Sequence, residues 1–361
     1  MRGINDKQSS MLVLMSPDSL VPENHPVRDV KRLADDCLAE LSPVFDKMYA
    51  EMGRPSIPPE RLLKSMLLMA LFSVPSERMF CKRLRYDLLF RWFLDMSMVD
   101  GSFDASSFSR NRERLLEHEV AHRFLQTVVR LAERKRLMSS EHFSVDGTLI
   151  QAWASMKSFR PKNEKDSDRG DGNGWADFKG KERKNDTHES RTDPEAKLYR
   201  KGEGQEAKLC FGEHVLMENR NGLIVDIEVR PAVGVTESEA ALDLVMRSVP
   251  LDHPITIGGD KGFDNQSFIE GARQLGATPH VAQNSGPRRR SGIDRRTTRH
   301  VGYRISQVVR RRIESIFGWK KTVGGCRRTR YHGVAKTDFF STMTAVAYNL
   351  LRISRLLSQT G

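Results

Sequence analysis

The sequence predicts an α/β fold, a mixed sheet flanked by helices and preceded by an all-α N-terminal part. Residues up to about 138 place apolar side chains at the 3.6-residue spacing of helices, whereas later residues form short β-branched runs that alternate with helical segments. Strands that alternate with helices predict a sheet covered by helices. A chain of 361 residues is long enough for two domains. We therefore predict a helical domain over residues 1–138 and an α/β domain over residues 139–361.

The N-terminal part contains several segments with helical patterns. The first predicted helix follows Asn24-His-Pro-Val, with apolar residues near every 3.6 positions. A second begins at Ser56-Ile-Pro-Pro-Glu, because proline is tolerated in the first turn and an acid stabilises a helix N-terminus. This helix is apolar nearly all round, which indicates a buried position. Further helical segments are predicted from Ser76, over 88–94, near Ser106, and from about Val120 to Lys135.

The second part begins with a strand, because 143–150 is β-branched and alternates between apolar and polar residues. A hairpin is predicted from strand 208–218, the turn Asn219-Arg-Asn-Gly, and strand 223–229. Between them, about 157–207 is polar with little apolar content, and we predict a long loop or partly disordered insertion. The other predicted elements are a helix over 236–249 with a Thr-x-x-Glu capping box, strands 255–260 and 278–283, a helix over 265–275, a basic loop over 285–298, and helices 303–317 and 337–357.

Basic residues are concentrated in one stretch, from Arg288 to Arg330. It holds fifteen Lys or Arg and two acids, a net charge of +13, against +12 for the whole chain. The excess charge is therefore local. A local basic field of this size favours a polyanion such as DNA over an acidic small molecule. A membrane surface is a weaker alternative, since the stretch lacks the wide apolar face of an interfacial helix.

Composition argues against several other classes of protein. The longest apolar run, Met66–Val74, is well short of the roughly 20 residues that span a bilayer. The four cysteines, at positions 37, 81, 210 and 326, lie far apart without a CxxC pair, which argues against a zinc site and a disulfide framework. Unpaired thiols and the lack of a signal-peptide pattern predict a cytoplasmic protein.

Three acids stand out by their positions. Asp146 lies within the first strand, Asp260 ends a later strand, and Glu314 lies on a helix inside the basic stretch. Because functional groups gather at the strand ends of an open α/β sheet, these carboxylates can converge. Converging carboxylates repel one another, and Mg²⁺, which prefers oxygen ligands, relieves that repulsion. Two such ions about 3.5–4 Å apart activate an attacking oxygen and stabilise a leaving one.

Each acid also has an ordinary structural interpretation. An aspartate in a glycine-rich turn, such as Asp146 or Asp260, is usually a turn former. An acid among arginines, such as Glu314, is usually an ion-pair partner. The order strand, strand, helix beside the basic field favours the joint interpretation as a metal site. His142 and His280 flank the site strands, where lone histidines are usually structural.

The motifs around these acids resemble those of DDE transposases of bacterial insertion sequences, specifically the insertion-sequence-five-like group. The resemblance covers nearly the whole chain. It rests on Val145-Asp-Gly-Thr-Leu-Ile-Gln-Ala-Trp-Ala-Ser, Gly259-Asp-Lys-Gly-Phe-Asp and Arg311-Arg-Ile-Glu-Ser-Ile-Phe-Gly-Trp-Lys-Lys-Thr-Val-Gly-Gly, in that order. It implies an RNase H-like catalytic domain. It also implies a catalytic and metal-binding Asp-Asp-Glu triad on Asp146, Asp260 and Glu314.

The wider family carries the signature Tyr-x2-Arg-x3-Glu-x6-Lys, which places Arg310 and Lys321 around Glu314 as residues that bind DNA. Gln307 occupies the tyrosine position, where an amide can still contact a phosphate or a base. Residues 307, 310 and 314 are three and four positions apart, so they share one helix face. Another face is predicted to pack on the sheet through Ile305, Val309, Ile313 and Ile316.

The resemblance implies an enzyme that cleaves phosphodiester bonds at the ends of its element and joins the freed 3′-OH to target DNA. Its cofactor would be Mg²⁺ or Mn²⁺, as two ions. Its partner would be double-stranded DNA, as terminal inverted repeats bound by the helical domain and as target, with a homo-oligomer in the synaptic complex. Two alternatives stay open: an RNase H-like nuclease without strand transfer, and a DNA-binding derivative without catalysis.

Overall fold

The computed structural model describes residues 16–49, 52, 56–162, 183–200, 204, 206–232, 237–286 and 290–360. The helices are α1 (Pro17–Leu20), α2 (Pro26–Met48), α3 (Pro59–Leu71), α4 (Glu77–Arg83), α5 (Leu88–Phe93), α6 (Ala105–Glu117), α7 (Val120–Arg134), α8 (Glu237–Ser248), α9 (Gln266–Gln274), α10 (Arg295–Arg299), α11 (Val301–Val309), α12 (Arg312–Thr322) and α13 (Val334–Thr360). The strands are β1 (His142–Gln151), β2 (Phe159–Pro161), β3 (His188–Ser190), β4 (Lys197–Tyr199), β5 (Lys208–Glu218), β6 (Ile224–Pro231), β7 (Ile255–Gly259) and β8 (Ala277–Val281).

The described N-terminal part is helical, as the sequence predicts. Helix α2 begins after His25, whose Nδ1 accepts the backbone N–H of Val27 at 3.2 Å. Ser76 caps α4 and Asp104 caps α6 through side-chain oxygens that accept first-turn N–H groups. These caps satisfy donors that a helix leaves unpaired at its N-terminus. Polar side chains therefore determine where these helices begin, and apolar periodicity determines which face each helix buries.

The α/β part is built on a mixed sheet with the strand order β6-β5-β1-β7-β8, in which β4 also pairs with β5. Strand β5 is antiparallel to both β1 and β6, whereas β7 is parallel to β1 and β8 is parallel to β7. Three antiparallel strands followed by two parallel ones form the RNase H-like arrangement. The predicted fold class is confirmed.

The predicted hairpin between β5 and β6 is held by a buried carboxylate. Glu218 accepts the backbone N–H groups of Asn221 at 2.8 Å and Leu223 at 3.1 Å, and also that of Ser139 at 3.0 Å. Gly222 has a φ of +72°, a conformation that glycine adopts without strain. The same side chain therefore ties the hairpin turn to the segment that leads into β1.

Helices cover both faces of the sheet. On one face, α8 and α9 pack through residues such as Leu244 and Phe268 against Val145 and Ile257. On the other face, one core joins α12, α13 and the N-terminal helices to the β5–β6 hairpin. The predicted boundary at residue 138 falls between α7 and β1, and the division into two domains stays a prediction. Burial of each large apolar side chain in these cores stabilises the fold by about 1.5–3 kcal/mol.

The single helix predicted over 303–317 is wrong, because the structure has two helices, α11 and α12, separated at Arg310 and Arg311. The junction contains a tighter, 3-10-type turn, in which the N–H of Ile313 donates to the carbonyl of Arg310, three residues earlier, at 3.1 Å. The prediction that Ile305 packs on the sheet is also wrong, since its exposed fraction is 57%. Ile313 and Ile316 are buried as predicted. The basic loop predicted over 285–298 contains the start of the short helix α10.

Three of the sequence predictions fall partly outside the described residues. Of the polar insertion at about 157–207, residues 163–182, 201–203 and 205 are not described, and the rest includes β2, β3 and β4. The first residue of the Thr-x-x-Glu capping box, Thr236, is not described either. The same holds for Arg288 and Arg289 at the start of the basic stretch.

A histidine links the N-terminal helices to the sheet. His122 of α7 forms a hydrogen bond with Asp338 of α13, at 2.6 Å from Nε2 to Oδ2, and lies 4.0 Å from Asp226 of β6. Burial and the positive charge of Arg247 both lower the pKa of His122. The hydrogen bond to Asp338 and the charges of both aspartates outweigh these effects, so the pKa is raised above 6.5.

This link predicts a pH-dependent contribution to stability. A raised pKa in the folded state means that protonated His122 stabilises the fold below pH 6.5, and that this stability is lost as the pH rises through the folded pKa. His122→Gln should therefore lower the free energy of unfolding by about 1.5–3 kcal/mol at pH 6 and by less at pH 9. Denaturant titrations at the two pH values measure the difference. An equal loss at both would contradict the prediction.

Candidate active site

The two predicted aspartates lie where the parallel strands β1 and β7 diverge. Backbone pairing between these strands ends at Ser144, opposite Gly258. Asp146 is two residues after Ser144, and Asp260 is two residues after Gly258. Both carboxylates therefore lie at the same level of the sheet. The charge of Asp260 acts on Asp146. The structure therefore brings these two members of the predicted triad together at strand ends.

Each aspartate is oriented by the backbone N–H of a nearby glycine, one residue after Asp146 and two residues after Asp260. The N–H of Gly147 donates to Oδ1 of Asp146 at 2.8 Å, and that of Gly262 donates to Oδ1 of Asp260 at 2.7 Å. Asp260 thereby caps the short 3-10 helix Lys261–Phe263. One oxygen of each carboxylate is engaged in this way, which leaves the other oxygen for a ligand.

A further carboxylate, Glu237, lies beside the two aspartates and was missed by the sequence analysis. It is the first residue of α8, and a Cβ placed on Gly147 would lie only 3.1 Å from its Oε1. A Cβ placed on Gly262 would lie 3.8 Å from its Oε2. The residue as a whole is exposed, but its carboxylate lies between the two glycines that follow the aspartates. In the sequence its one signal is an acid at a helix start, which is common in helices without any functional role.

The surroundings of Asp146 and Glu237 disfavour the ionised forms of both carboxyl groups. The pKa of Asp146 is raised to about 7, chiefly by burial and also by the charges of Asp260 and Glu237, against the opposing effects of the Gly147 N–H and the charge of Arg310. Burial and the charge of Asp260 also raise the pKa of Glu237. The three carboxylates therefore repel one another across a partly buried space.

Glu314, the third predicted member of the triad, lies on the first turn of α12 and is exposed. Among the described residues it forms no hydrogen bond or salt bridge with either aspartate. Its neighbours in the signature do reach the strands. The Cβ of Arg310 lies 3.5 Å from a Cβ placed on Gly258, and Nζ of Lys321 donates to Oγ1 of Thr148. Glu314 thus lies between two residues that contact the sheet on either side of Asp146.

Gln307, at the position where the signature has tyrosine, is paired within the protein. Its Nε2 donates to the carbonyl of His280, and its Oε1 accepts Nε of Arg310 at 3.1 Å. The prediction that Gln307 contacts DNA stays a prediction. In the structure it holds the guanidinium of Arg310 beside the site. His280 is buried and bonded to Ser306, which agrees with a structural role.

The position of α12 depends on a buried lysine. Lys320 is fully buried, and its Nζ donates to Oε1 of Glu213 on β5 and to Oγ of Ser341 on α13, both at 2.8 Å. A buried charge of this kind persists only when it is paired and hydrogen-bonded. Lys320 therefore anchors α12 rather than adding to the basic surface that its sequence position suggests.

The donor set at the strand ends fits a hard divalent cation. Carboxylate oxygens are the ligands that Mg²⁺ and Mn²⁺ accept, and the mutual repulsion of Asp146, Asp260 and Glu237 is relieved by positive charge. Across the described ranges, no group of three or more His, Cys, Asp or Glu side chains is placed to hold a metal ion. The arrangement therefore suits an ion that completes its shell with water or phosphate oxygens.

An RNase H-like sheet with paired aspartates at the divergence of its parallel strands defines a class of metal-dependent nucleic-acid enzymes. Two family models match the chain: Transposase domain (DUF772) over residues 15–114 and Transposase DDE domain over residues 140–350. The second match covers more than half of the chain. The chain belongs to the DDE transposase family.

Three solved structures that match the chain at low similarity are transposase complexes. The piggyBac transposase synaptic complex with hairpin DNA is 10% identical with a TM-score of 0.42, over 92% of this chain and 76% of that chain. A pre-cleavage Mos1 transpososome is 11% identical with a TM-score of 0.20, over 87% and 82%. The Mos1 mariner paired end complex with Mn is 12% identical with a TM-score of 0.21, over 83% and 88%. These likenesses are low, and the family assignment does not depend on them. No curated protein matches the sequence.

Membership of this family identifies the protein as a DNA transposase, an enzyme that cleaves DNA and joins strands. The predicted recognition and activity are confirmed. Enzymes of the family use divalent metal ions. None of the described helices is long and apolar enough to cross a membrane.

The raised pKa of Asp146 predicts that this residue destabilises the metal-free fold. Its pKa is about 7 in the folded protein against an ordinary 3.8, so stability is lost as the pH rises from 3.8 to 7. In EDTA, Asp146→Asn should therefore raise the thermal midpoint by a few degrees at pH 8 and by less at pH 5. Glu270→Gln, a change of an exposed acid on α9, serves as the control and should show no such gain. Equal gains at both pH values would contradict the assignment.

Proposed function

We propose that Asp146, Asp260 and Glu314 are the catalytic and metal-binding triad of this transposase, and that they hold two Mg²⁺ or Mn²⁺ ions. The observation that carries the proposal is the matched position of the two aspartates, each two residues beyond the last pair between β1 and β7. Because pairing between the parallel strands ends before this level, no backbone hydrogen bond joins β1 to β7 where the two carboxylates lie.

The position of α12 supports Glu314 as the third member. Arg310 lies against Gly258, at the level of the last strand pair, and Lys321 lies against Thr148, two residues beyond Asp146. Glu314 and Lys321 are seven residues apart on α12, about two turns, so they lie on the same side of that helix. The break at Arg310 and Arg311 means that the predicted shared helix face of Gln307, Arg310 and Glu314 does not form as one continuous helix. A change of rotamer extends an exposed glutamate by several ångströms, since it has three rotatable bonds. In this proposal, the Glu314 side chain turns toward Asp146 when a cation binds.

Arg310, Lys321 and Gln307 are proposed to contact DNA beside the reacting phosphate. Arg310 and Lys321 flank the acidic site on the side of the basic stretch, where they would bind phosphates on both sides of the cut. Gln307 holds Arg310 through Oε1 and reaches the backbone of β8 through Nε2. Its contact with DNA would need one of these bonds to open.

The reaction consists of two phosphoryl transfers. In cleavage, a water oxygen attacks the phosphorus at the element end and the bond to the 3′ oxygen breaks, which leaves a 3′-OH and a 5′-phosphate. In joining, that 3′-OH attacks a target phosphorus and the 3′ oxygen of the target leaves. When bound, divalent ions supply activation of the attacking oxygen and charge stabilisation of the leaving one. The protein contributes position and charge, since Arg310 and Lys321 hold the phosphates in line.

The substrates proposed are double-stranded DNA in two forms, the terminal inverted repeats of an insertion sequence and the target. The described N-terminal helices are proposed to recognise the repeats, and two or more copies of the chain are proposed to assemble the synaptic complex. The motifs quoted above support the insertion-sequence-five-like group. They also support a bacterial cytoplasmic setting, with the protein on the nucleoid when it is bound to DNA.

The triad is tested by removing one carboxylate at a time. Asp146→Asn, Asp260→Asn and Glu314→Gln should each reduce Mg²⁺-dependent cleavage and strand transfer by about 100-fold or more, because each removes a metal ligand. The assay uses DNA that carries the element ends, with products separated on denaturing gels. Glu270→Gln is the matched control on an exposed surface of α9 and should retain full activity. Unchanged strand transfer in one variant would remove that residue from the triad, and cleavage without joining in wild type would favour a nuclease.

The DNA contacts are tested by the salt dependence of binding. Arg310→Ala and Lys321→Ala should each reduce the slope of log K against log salt by about 1, because each removes one phosphate contact. Filter binding or fluorescence anisotropy between about 50 and 200 mM salt measures the slope. Arg355→Ala, on an exposed part of α13 outside the basic stretch, is the control. A slope equal to wild type in both variants would rule out phosphate contacts by these residues.

A further inference from the structure

The edge of β1 that faces β7 loses its partner at the site and gains another one beyond it. Pairing with β7 ends at Ser144. At Gln151 a short segment that follows α12 takes the place of β7. The N–H of Gln151 donates to the carbonyl of Arg327 at 3.1 Å, and the N–H of Thr329 donates to the carbonyl of Gln151 at 2.8 Å. Within the described residues, no backbone pairing covers this edge over 145–150, the interval that holds the first aspartate of the proposed triad.

Basic side chains accompany this edge at three levels. At one end, Arg310 lies against Gly258, at the level of the last pair with β7. In the middle, Nζ of Lys321 donates to Oγ1 of Thr148. At the other end, Arg328 belongs to the segment that pairs with β1. A row of positive charge along a strand edge suits the phosphates of a DNA strand, and a strand bound along it would pass the aspartates and reach Arg328.

A tryptophan lies where this row ends. The exposed fraction of Trp153 is 51%, and the guanidinium carbon of Arg328 lies 4.9 Å from the centre of its ring. The guanidinium is held in place, since its Nε donates to the carbonyl of Ala152 at 3.1 Å and its Nη2 donates to the carbonyl of Trp153 at 2.6 Å. A fixed cation therefore lies over the indole ring, while about half of the residue stays accessible.

An exposed apolar side chain is often without function, and a cation over an aromatic ring often only stabilises the fold. Trp92 shows such a structural pair. Arg28 lies 5.2 Å from its ring, but Asp18 forms a salt bridge with Arg28 and accepts the indole N–H, both at 2.8 Å. Within the described part of the chain, Trp153 has no acceptor for its N–H and Arg328 has no acidic partner. The pair at Trp153 thus keeps both its charge and its ring available to a ligand.

We propose that Trp153, with Arg328 over its ring, is a stacking platform for an unpaired base of the DNA strand that passes the active site. Bases of any sequence stack on aromatic rings, and basic side chains beside the ring bind the adjoining phosphates. Arg328 thus supplies the charge and Trp153 the apolar surface. This inference rests on the proposed function, because the triad defines where the reacting phosphate lies.

The distance along β1 limits which base can stack. Trp153 is seven residues after Asp146, roughly 20 Å at the rise of a strand. Each nucleotide of a duplex advances about 3.4 Å, and an unpaired strand is more extended. The stacked base therefore lies within about six nucleotides of the reacting phosphate.

The fluorescent base 2-aminopurine is a suitable probe, because its emission falls when it stacks and no turnover is needed. The DNA is a duplex that carries an element end and a single-stranded extension of that length, with 2-aminopurine at each position of the extension in turn. The full chain is titrated in EDTA as wild type and as Trp153→Ala, Trp153→Leu, Trp153→Phe and Met246→Ala. A blunt duplex of the same sequence is titrated in parallel.

At one position the emission should fall with wild type and with Trp153→Phe, and should not fall with Trp153→Ala or Trp153→Leu. Leucine keeps an apolar side chain but has no ring on which a base can stack. The alanine and leucine variants should also bind the extended DNA about 10-fold more weakly, whereas all the proteins should bind the blunt duplex equally. Met246→Ala removes an apolar side chain of α8 with an exposed fraction of 61%, and should match wild type.

An equal fall in emission with wild type and Trp153→Ala would overturn the inference, and so would an equal loss of affinity for the blunt duplex. Thermal midpoints show which variants are folded. If Trp153→Ala is unfolded, the comparison of Trp153→Phe with Trp153→Leu decides the question in its place.

The triad variants separate this inference from the proposed function. Asp146→Asn, Asp260→Asn and Glu314→Gln should keep the fall in emission and lose Mg²⁺-dependent cleavage. If they lose cleavage and Trp153→Ala stacks the base as wild type does, the inference fails and the proposed function stands. If they retain strand transfer, the proposed function fails, and the emission with Trp153→Ala still decides whether the base stacks on Trp153.

Discussion

The divergence of β1 from β7 is the constraint on which the proposed active site depends. Antiparallel pairing with β5 holds β1 from Phe143 to Gln151, whereas parallel pairing with β7 stops at Ser144. Because the edge of β1 that faces β5 stays paired along its length, β1 keeps its position in the sheet where its other edge is no longer paired with β7. Asp146 is therefore held on a strand that stays paired with β5, beyond the last pair with β7. Asp260 lies at the same level, just beyond the end of β7. The point at which strand pairing ends thus brings two carboxylates to one level of the sheet.

The helices that complete the site are positioned by contacts that leave little freedom. Gly258 allows the junction between α11 and α12 to approach the sheet, since a Cβ there would lie 2.9 Å from Oγ of Ser144 and 3.5 Å from Cβ of Arg310. At the other end of α12, the buried Lys320 bonds to β5 and α13. The junction and the buried ion pair together set the line of the helix. Glu314 lies between them, so its backbone is fixed while its exposed side chain keeps its freedom.

Much of the fold follows from local patterns, and the parts that do not follow depend on contacts distant in sequence. Strand alternation and the hairpin turn at Gly222 predict β1, β5 and β6, because each pattern expresses a local geometry. The break between α11 and α12 contains no proline or glycine, so nothing local announces it. Ile305 obeys helical periodicity yet stays exposed, because the break changes which face of α11 meets the sheet. Glu237 could not be predicted as a site residue, since its proximity to Asp146 depends on how α8 packs beside Gly147.

The balance of charge at the site explains why acids and bases lie so close together without neutralising each other. The guanidinium of Arg310 is hydrogen-bonded to the neutral amide of Gln307, although its charge acts on Asp146. Had it formed a salt bridge with Asp146, both groups would be satisfied and neither would favour a ligand. Instead, the repelling carboxylates favour a cation, and Arg310 with its basic neighbours favours an anion. At the proposed site, a phosphate bound to a divalent ion would meet both demands at once, and the substrate and the ion would each strengthen the binding of the other.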